Sequence, residues 1–204
     1  MDRRKHALVI GLAVVVAYML IQGGGDDEDD PTYEEPDLID QASALWDDIT
    51  DGGYMTQWEQ QNVTAFLKTI RVSEGTAGAD GYSTLVGGGQ FDSFADHPRQ
   101  LVYLPNLGYS SSAAGAYQIL RRTWDGVAGK LGLVDFSPAS QDRAAVELIK
   151  QRGALADVRA GRFADAIAKC KKEWASLPGA GYGQRENSLA TLQAAYINAG
   201  GNLA

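Results

Sequence analysis

Glu74 closes the run Ile70-Arg71-Val72-Ser73-Glu74, and the residues before it decide what its carboxyl can do. Val63, Phe66, Leu67 and Ile70 recur at spacings of three and four, the pattern of one apolar stripe on a helix over residues 57–73. Glu74 follows Ile70 by four and Val63 by eleven, so it continues that core-facing stripe in the final turn. Gly75 then supplies a left-handed C-terminal cap. A carboxyl in this position is partly desolvated and lies beside the negative end of the helix dipole. Both effects favour the protonated form, which is what a general acid requires. Periodicity alone also accommodates a solvated glutamate of no consequence.

A second carboxylate would supply the partner of a general acid and base pair. The nearby acids are Asp80, Asp92 and Asp96, all in loop-like sequence where a solvated turn acid is the commoner role. The chain has one cysteine, Cys170, and two histidines, His6 and His97. It therefore offers no internal disulfide and no zinc set, and Cys170 reads as core. The glycines at 87, 88 and 89 precede neither Lys-Ser nor Lys-Thr and open no helix, so they form no phosphate loop and imply no nucleotide cofactor.

The runs Phe66-Leu67-Lys68-Thr69-Ile70-Arg71-Val72-Ser73-Glu74-Gly75-Thr76, Gly81-Tyr82-Ser83-Thr84-Leu85-Val86-Gly87-Gly88 and Asp96-His97-Pro98-Arg99 carry a resemblance. It continues through Gly115-Ala116-Tyr117-Gln118, Asp135-Phe136-Ser137-Pro138, Gln151-Arg152-Gly153-Ala154-Leu155 and the stretch from Trp174 to Gln184. Around Glu74 the sequence resembles the bacteriophage lambda endolysin family, lytic transglycosylases of the lysozyme superfamily. The T-even type of lysozyme places an Asp nine positions after its catalytic Glu and a Thr fifteen after; here those places hold Ser83 and Gly89.

The resemblance implies a reaction that needs no enzymic nucleophile. Glu74 protonates the leaving glycosidic oxygen, and the C6 hydroxyl of N-acetylmuramic acid closes on its own C1. Glu74 then takes that hydroxyl's proton. Gly115-Ala116-Tyr117-Gln118 is similar to the Gly-Leu-Met-Gln motif of transglycosylases, which carries Tyr117 and Gln118 over as substrate-binding residues. Tyr182 looks like the family's cleft-bordering loop aromatic, and Tyr82 lies in the lip that would cover the glycan. No metal and no cofactor are implied; the partner is the peptidoglycan glycan strand. A hydrolytic muramidase using Asp80, Asp92 or Asp96 is the alternative enzyme. A noncatalytic wall-binding virion protein is the alternative from another class.

The elements that must position these residues follow from local signals. Thr56-Gln57-Trp58-Glu59 is a capping box that starts the Glu74 helix. Tyr82 to Val86 and Leu101 to Leu104 are short β-rich runs, which predict a small two- or three-stranded sheet. Thr123 caps a predicted helix over 124–130, and Ser137-Pro138 starts one that ends at Gly153. Further helices are predicted over 162–174 and 185–199. Trp124 and Trp174 sit in helical apolar patterns and read as core, and His97 before Pro98 as a structural turn residue. A small antiparallel sheet lip against a mostly helical domain over 56–204 is the lysozyme-like α+β fold class that the resemblance implies, here preceded by one N-terminal transmembrane helix.

The front of the chain has another character. Ala7 to Ile21 is fifteen uninterrupted apolar residues, and the uncharged stretch runs to Gly25. Arg3-Arg4-Lys5 precede it and Asp26 to Asp30 follow, the flanks of an uncleaved signal anchor spanning residues 7–25 within segment 1–25. The small-x-small cleavage pattern is missing at Tyr18-Met19-Leu20-Ile21-Gln22. Residues 26–55 form an acidic linker, with a helical spacing only at Leu38, Ala42, Leu45 and Ile49. Residues 26 to 60 hold thirteen acids and no Lys or Arg, which accounts for the net charge of -8, whereas from residue 61 fifteen bases face twelve acids. No basic stripe interleaved with aromatics is present, so nucleic acid is not a partner. The expected location is the periplasmic face of the host inner membrane, with a monomeric catalytic domain; a virion membrane or virion-associated site is the alternative.

Overall fold

A computed structural model of the chain describes residues 55–181 and 186–204. The 7–25 anchor, the linker to residue 54 with its weak 38–49 helix, and Tyr182 lie outside the described residues. Among the described residues no helix is long and apolar enough to cross a membrane.

The first helix, α1, runs Gln57–Glu74, so Thr56 stands at its N-terminal boundary as the capping box predicts. Its stripe is buried: Val63, Phe66 and Ile70 expose no surface. Gly75, at φ 74°, ends it, with the Thr76 amide reaching back to the Arg71 carbonyl at 2.8 Å, the wrap of a Schellman-type C-cap.

After α1 the chain forms a lip. A 3₁₀ turn spans Ala79–Ser83, and two three-residue strands, β1 (Val102–Leu104) and β2 (Tyr109–Ser111), pair antiparallel with Tyr103 opposite Ser110. The predicted strand at Tyr82 to Val86 is not formed; Thr84 and Leu85 make only isolated bridges, to Gln90 and Ala114. The Ser83 and Thr84 hydroxyls both donate to the Asp80 carbonyl, at 3.1 and 2.8 Å, and draw this segment into a turn.

The body is helical. Helix α2 spans Arg121–Leu131, α3 Pro138–Gln151, α4 Leu155–Arg159, α5 Phe163–Cys170 and α6 Leu189–Asn198. Ser137 caps α3 through the Ser140 amide with Pro138 in the first turn, as the sequence predicts. Helix α2 starts three residues before the predicted one, because the Ser112 hydroxyl from the lip accepts the Arg121 amide and Thr123 falls inside the helix. Helix α5 stops at Cys170 rather than Trp174, and α6 begins only after Ser188, whose hydroxyl accepts the Thr191 amide at 3.1 Å. Helix α4 escaped the sequence reading.

Two aromatic clusters fix the site's surroundings. Phe136 is ringed by Trp124 (4.7 Å), His97 (4.9 Å) and Phe91 (5.9 Å), and Phe163 joins Phe66 (6.0 Å) to Tyr196 (4.8 Å). The edge-on geometry of most of these pairs adds to their area burial. Trp124, Trp174 and Cys170 are core residues, as read from the sequence. His97 is buried between the Ile119 carbonyl and the Arg99 amide, a structural role.

Candidate active site

Glu74 ends α1 half-buried, four residues after Ile70, the last apolar member of the stripe. Burial raises its carboxyl above the ordinary value, and a hydrogen bond from the Ser176 hydroxyl, 2.6 Å from Oε1, partly counters that rise. The expectation of a desolvated acid at the helix end is met. Among the described residues no carboxylate bonds to it or shares its proton.

The turn Gly115 to Gln118 is stitched beside the end of α1. Thr76 Oγ1 donates to the Ala116 carbonyl at 2.5 Å, and the Trp174 indole N–H donates to the Tyr117 carbonyl at 3.1 Å. From the opposite side the Gln141 carboxamide oxygen accepts the Ala116 amide at 2.8 Å, while its Nε2 donates to the Tyr82 and Phe136 carbonyls. Gln118 itself adopts φ 46°, an unusual left-handed conformation for a non-glycine, held by its Nε2 donating to the Thr84 and Gly115 carbonyls at 3.1 and 3.0 Å. Its carboxamide oxygen has no partner among the described residues.

Tyr82 and Tyr117 occupy the interior behind this turn. They keep 7% and 1% of their surface exposed, and both hydroxyls donate to Oδ1 of Asp142, at 2.9 and 2.6 Å. Arg71 stacks over the Tyr82 ring at 4.5 Å while its guanidinium donates to the Thr76 and Gly78 carbonyls. Residue 142 keeps some exposed surface, but its carboxyl is enclosed, and desolvation pushes it up to about 6. The sequence expectation placed these tyrosines against the glycan; the structure places them as the scaffold that joins lip, turn and α3.

The three acids considered as a second carboxylate differ in their commitments. Asp80 and Asp92 are exposed. Asp96 is bound to Arg99 at 2.8 Å, accepts the Trp124 indole N–H at 3.2 Å, and is held below the ordinary carboxylate range chiefly by Arg99. Ser73, Ser176, Asn187, Gln141 and Asp142 were not found from sequence. Ser176 meets Glu74 across 102 positions of chain, a separation for which no local spacing is a signal.

A helical body with a short two-stranded lip, and the desolvated carboxyl of Glu74 at the helix end beside the turn between them, defines a lysozyme-like protein. The chain superimposes on the lambda phage lysozyme complexed with a chitohexasaccharide with a TM-score of 0.67 at 44% identity, covering 71% of this chain and 97% of that one. A second lambda phage lysozyme structure matches with a TM-score of 0.64 at 43% identity. The endolysin of Escherichia phage P2 is 47% identical over 69% of this chain and 94% of its own, and that of Escherichia phage lambda 47% identical over 68% and 91%. The endolysin family model matches residues 64–203. The chain belongs to the endolysin family and is a cell-wall-degrading enzyme of the phage type.

Proposed function

We propose that the protein is a peptidoglycan lytic transglycosylase that cleaves the β-1,4 bond between N-acetylmuramic acid and N-acetylglucosamine and leaves a 1,6-anhydro end. The observation that carries this reading is that Glu74, the desolvated carboxyl at the end of α1, has a hydroxyl and not a second acid as its bonded partner among the described residues. Glu74 gives its proton to the glycosidic oxygen as the C1–O bond breaks. The C6 hydroxyl oxygen then bonds C1, and its proton returns to the Glu74 carboxylate. One group does both tasks because its proton affinity lies above that of an ordinary carboxylate. In this reading the unpartnered Gln118 oxygen accepts a sugar hydroxyl, and Tyr182 borders the cleft, a role that rests on the resemblance of its loop in sequence alone. The chitohexasaccharide bound by the lambda phage relative supports a glycan as ligand.

Mass spectrometry of muropeptides released from purified wall tests the reaction. Anhydro-muramic ends support the proposal; reducing ends as the main product overturn it in favour of a hydrolase, with Asp80, Asp92 and Asp96 the acids to replace singly.

We further propose that residues 7–25 hold the catalytic domain on the periplasmic face of the host inner membrane for host lysis. The supports are the apolar run and its flanking charges. N-terminal sequencing of the mature protein tests this: a terminus beyond Gln22 overturns the anchor. Protein found in the membrane of purified virions points instead to wall penetration at infection.

A further inference from the structure

Behind Glu74 stands a chain of hydrogen bonds whose direction is fixed by counting protons. Ser176 has one hydroxyl proton and gives it to Glu74 Oε1 at 2.6 Å. The contact between the Ser73 and Ser176 hydroxyl oxygens, 2.7 Å long, must then run from Ser73 to Ser176. Ser73 has spent its own proton there and accepts one from the Asn187 amide, whose Nδ2 lies 3.2 Å from Ser73 Oγ and 3.2 Å from the Ser73 carbonyl. Asn187 is itself held, its backbone amide donating to the Ser176 carbonyl at 2.9 Å. The donors therefore run Asn187, Ser73, Ser176, Glu74, all aimed at one oxygen of the carboxyl. Oε2 has no partner among the described residues.

We propose that Ser176 is a positioning residue for the proton transfer: backed by Ser73 and Asn187, it anchors Oε1 of Glu74, so that Oε2 carries the proton that leaves for the glycan and receives the one that returns. The proposal rests on Glu74 being the proton donor. In the first step the Oε2–H bond breaks and an O–H bond forms on the leaving oxygen. In the second, the C6 hydroxyl loses its proton to Oε2 as oxygen closes on C1. A carboxyl anchored at one oxygen cannot rotate its proton away from the substrate, and the anchor stabilises the anion formed between the steps. Burial and the Ser176 hydroxyl set the proton affinity, and no charged side chain among the described residues contributes.

The full chain carrying Ser176→Ala, Ser176→Thr or Ser73→Ala is to be compared with the parent by two readouts. The first is the NMR titration of the Glu74 side-chain carboxyl, assigned with Glu74→Gln. The second is the pH profile of kcat/KM on purified glycan strands. Ser176→Ala is expected to raise the titration midpoint, carry the alkaline limb of the profile to higher pH, and lower plateau kcat/KM about tenfold, the loss of one hydrogen bond to a charged group. Ser176→Thr is expected to restore all three, and Ser73→Ala to shift the midpoint less in the same direction. A merely loosened fold would wet the carboxyl and lower the midpoint. An unchanged or lowered midpoint in Ser176→Ala overturns the proposal, and Ser73→Ala decides in the same sense if Ser176→Ala does not fold. The titration does not depend on turnover, so full activity of Glu74→Gln would refute Glu74 as donor whatever the midpoints show.

Discussion

Thr76 Oγ1 donates to the carbonyl of Ala116 at 2.5 Å, and this bond ties the end of the Glu74 helix to the turn that carries Gln118. Acid and turn are thereby fixed in one frame, although 40 positions of chain separate the two bonded residues. The fold itself therefore sets the spacing between the acid and the Gln118 turn.

Replacing Glu74 with Gln keeps the shape of the side chain and still offers an oxygen to Ser176, but removes the proton. Wall clearance is expected to fall by at least ~10²-fold with the unfolding midpoint unchanged. Turbidity assays on purified wall, alongside thermal unfolding, measure both; more than a tenth of parental clearance would remove Glu74 from the mechanism.

The raised proton affinity of Glu74 also fixes the sign of the pH response. Activity needs the protonated acid, so kcat/KM should hold through the ordinary carboxylate range around pH 4.5 and fall as pH passes the higher value of Glu74. Rates on glycan strands across pH 4 to 9 give the limb. A limb at the ordinary glutamate value would show a solvated residue.

Gly115 stands at φ 76°, and a Cβ there would lie 2.2 Å from the Gln141 carboxamide oxygen, buried and bonded to Ala116. Gly115→Ala combines backbone strain with that overlap. The expected cost is about 3 kcal/mol of stability together with loss of activity. Urea unfolding reads the first; a cost under about 1 kcal/mol would mean that the turn relaxes freely.

Gln118→Gly separates backbone from side chain at the same turn. Glycine accepts φ 46° without strain, which offsets the two lost bonds to Thr84 and Gly115, so stability is expected to change by less than about 1 kcal/mol. Loss of the carboxamide oxygen should raise KM about tenfold with kcat held, the sign of uniform binding. A fall in kcat alone would place Gln118 in the chemical step instead.

What the sequence made legible was local. The 3.6-residue stripe from Val63 to Ile70, Gly75 after it and Ser137-Pro138 each carry their own geometry, and all three appear where expected. What it hid was decided across the chain. Ser112 displaced the start of α2, and Asp142 turned Tyr82 and Tyr117 inward, because a buried hydroxyl takes the strongest acceptor within reach. The catalytic candidate was readable because its helix is one element. Its partner Ser176 was not, because nothing near residue 176 reports what lies beside it.

Asp142 gives the last prediction. Its carboxyl titrates near 3.8 when unfolded and about 6 when folded, since burial outweighs the hydroxyls of Tyr117 and Tyr82 and the charge of Arg71. Below pH 3.8 both states hold the proton. As pH rises the unfolded chain releases it first, so the folded state binds more protons and stability falls until pH passes 6. A shift from 3.8 to about 6 corresponds to a loss on the order of 3 kcal/mol. Asp142→Asn cannot ionise, and its amide oxygen still accepts both tyrosine hydroxyls. The stability of the variant relative to the parent is therefore expected to rise between pH 4 and pH 6 and to stay level above. Other groups, Glu74 and the lowered Asp96, Asp135 and Asp157 among them, titrate in both proteins, so the difference between the two curves isolates residue 142. Urea midpoints at pH 4, 5, 6 and 7 measure it. A difference that does not change with pH would show that burial does not raise the Asp142 carboxyl.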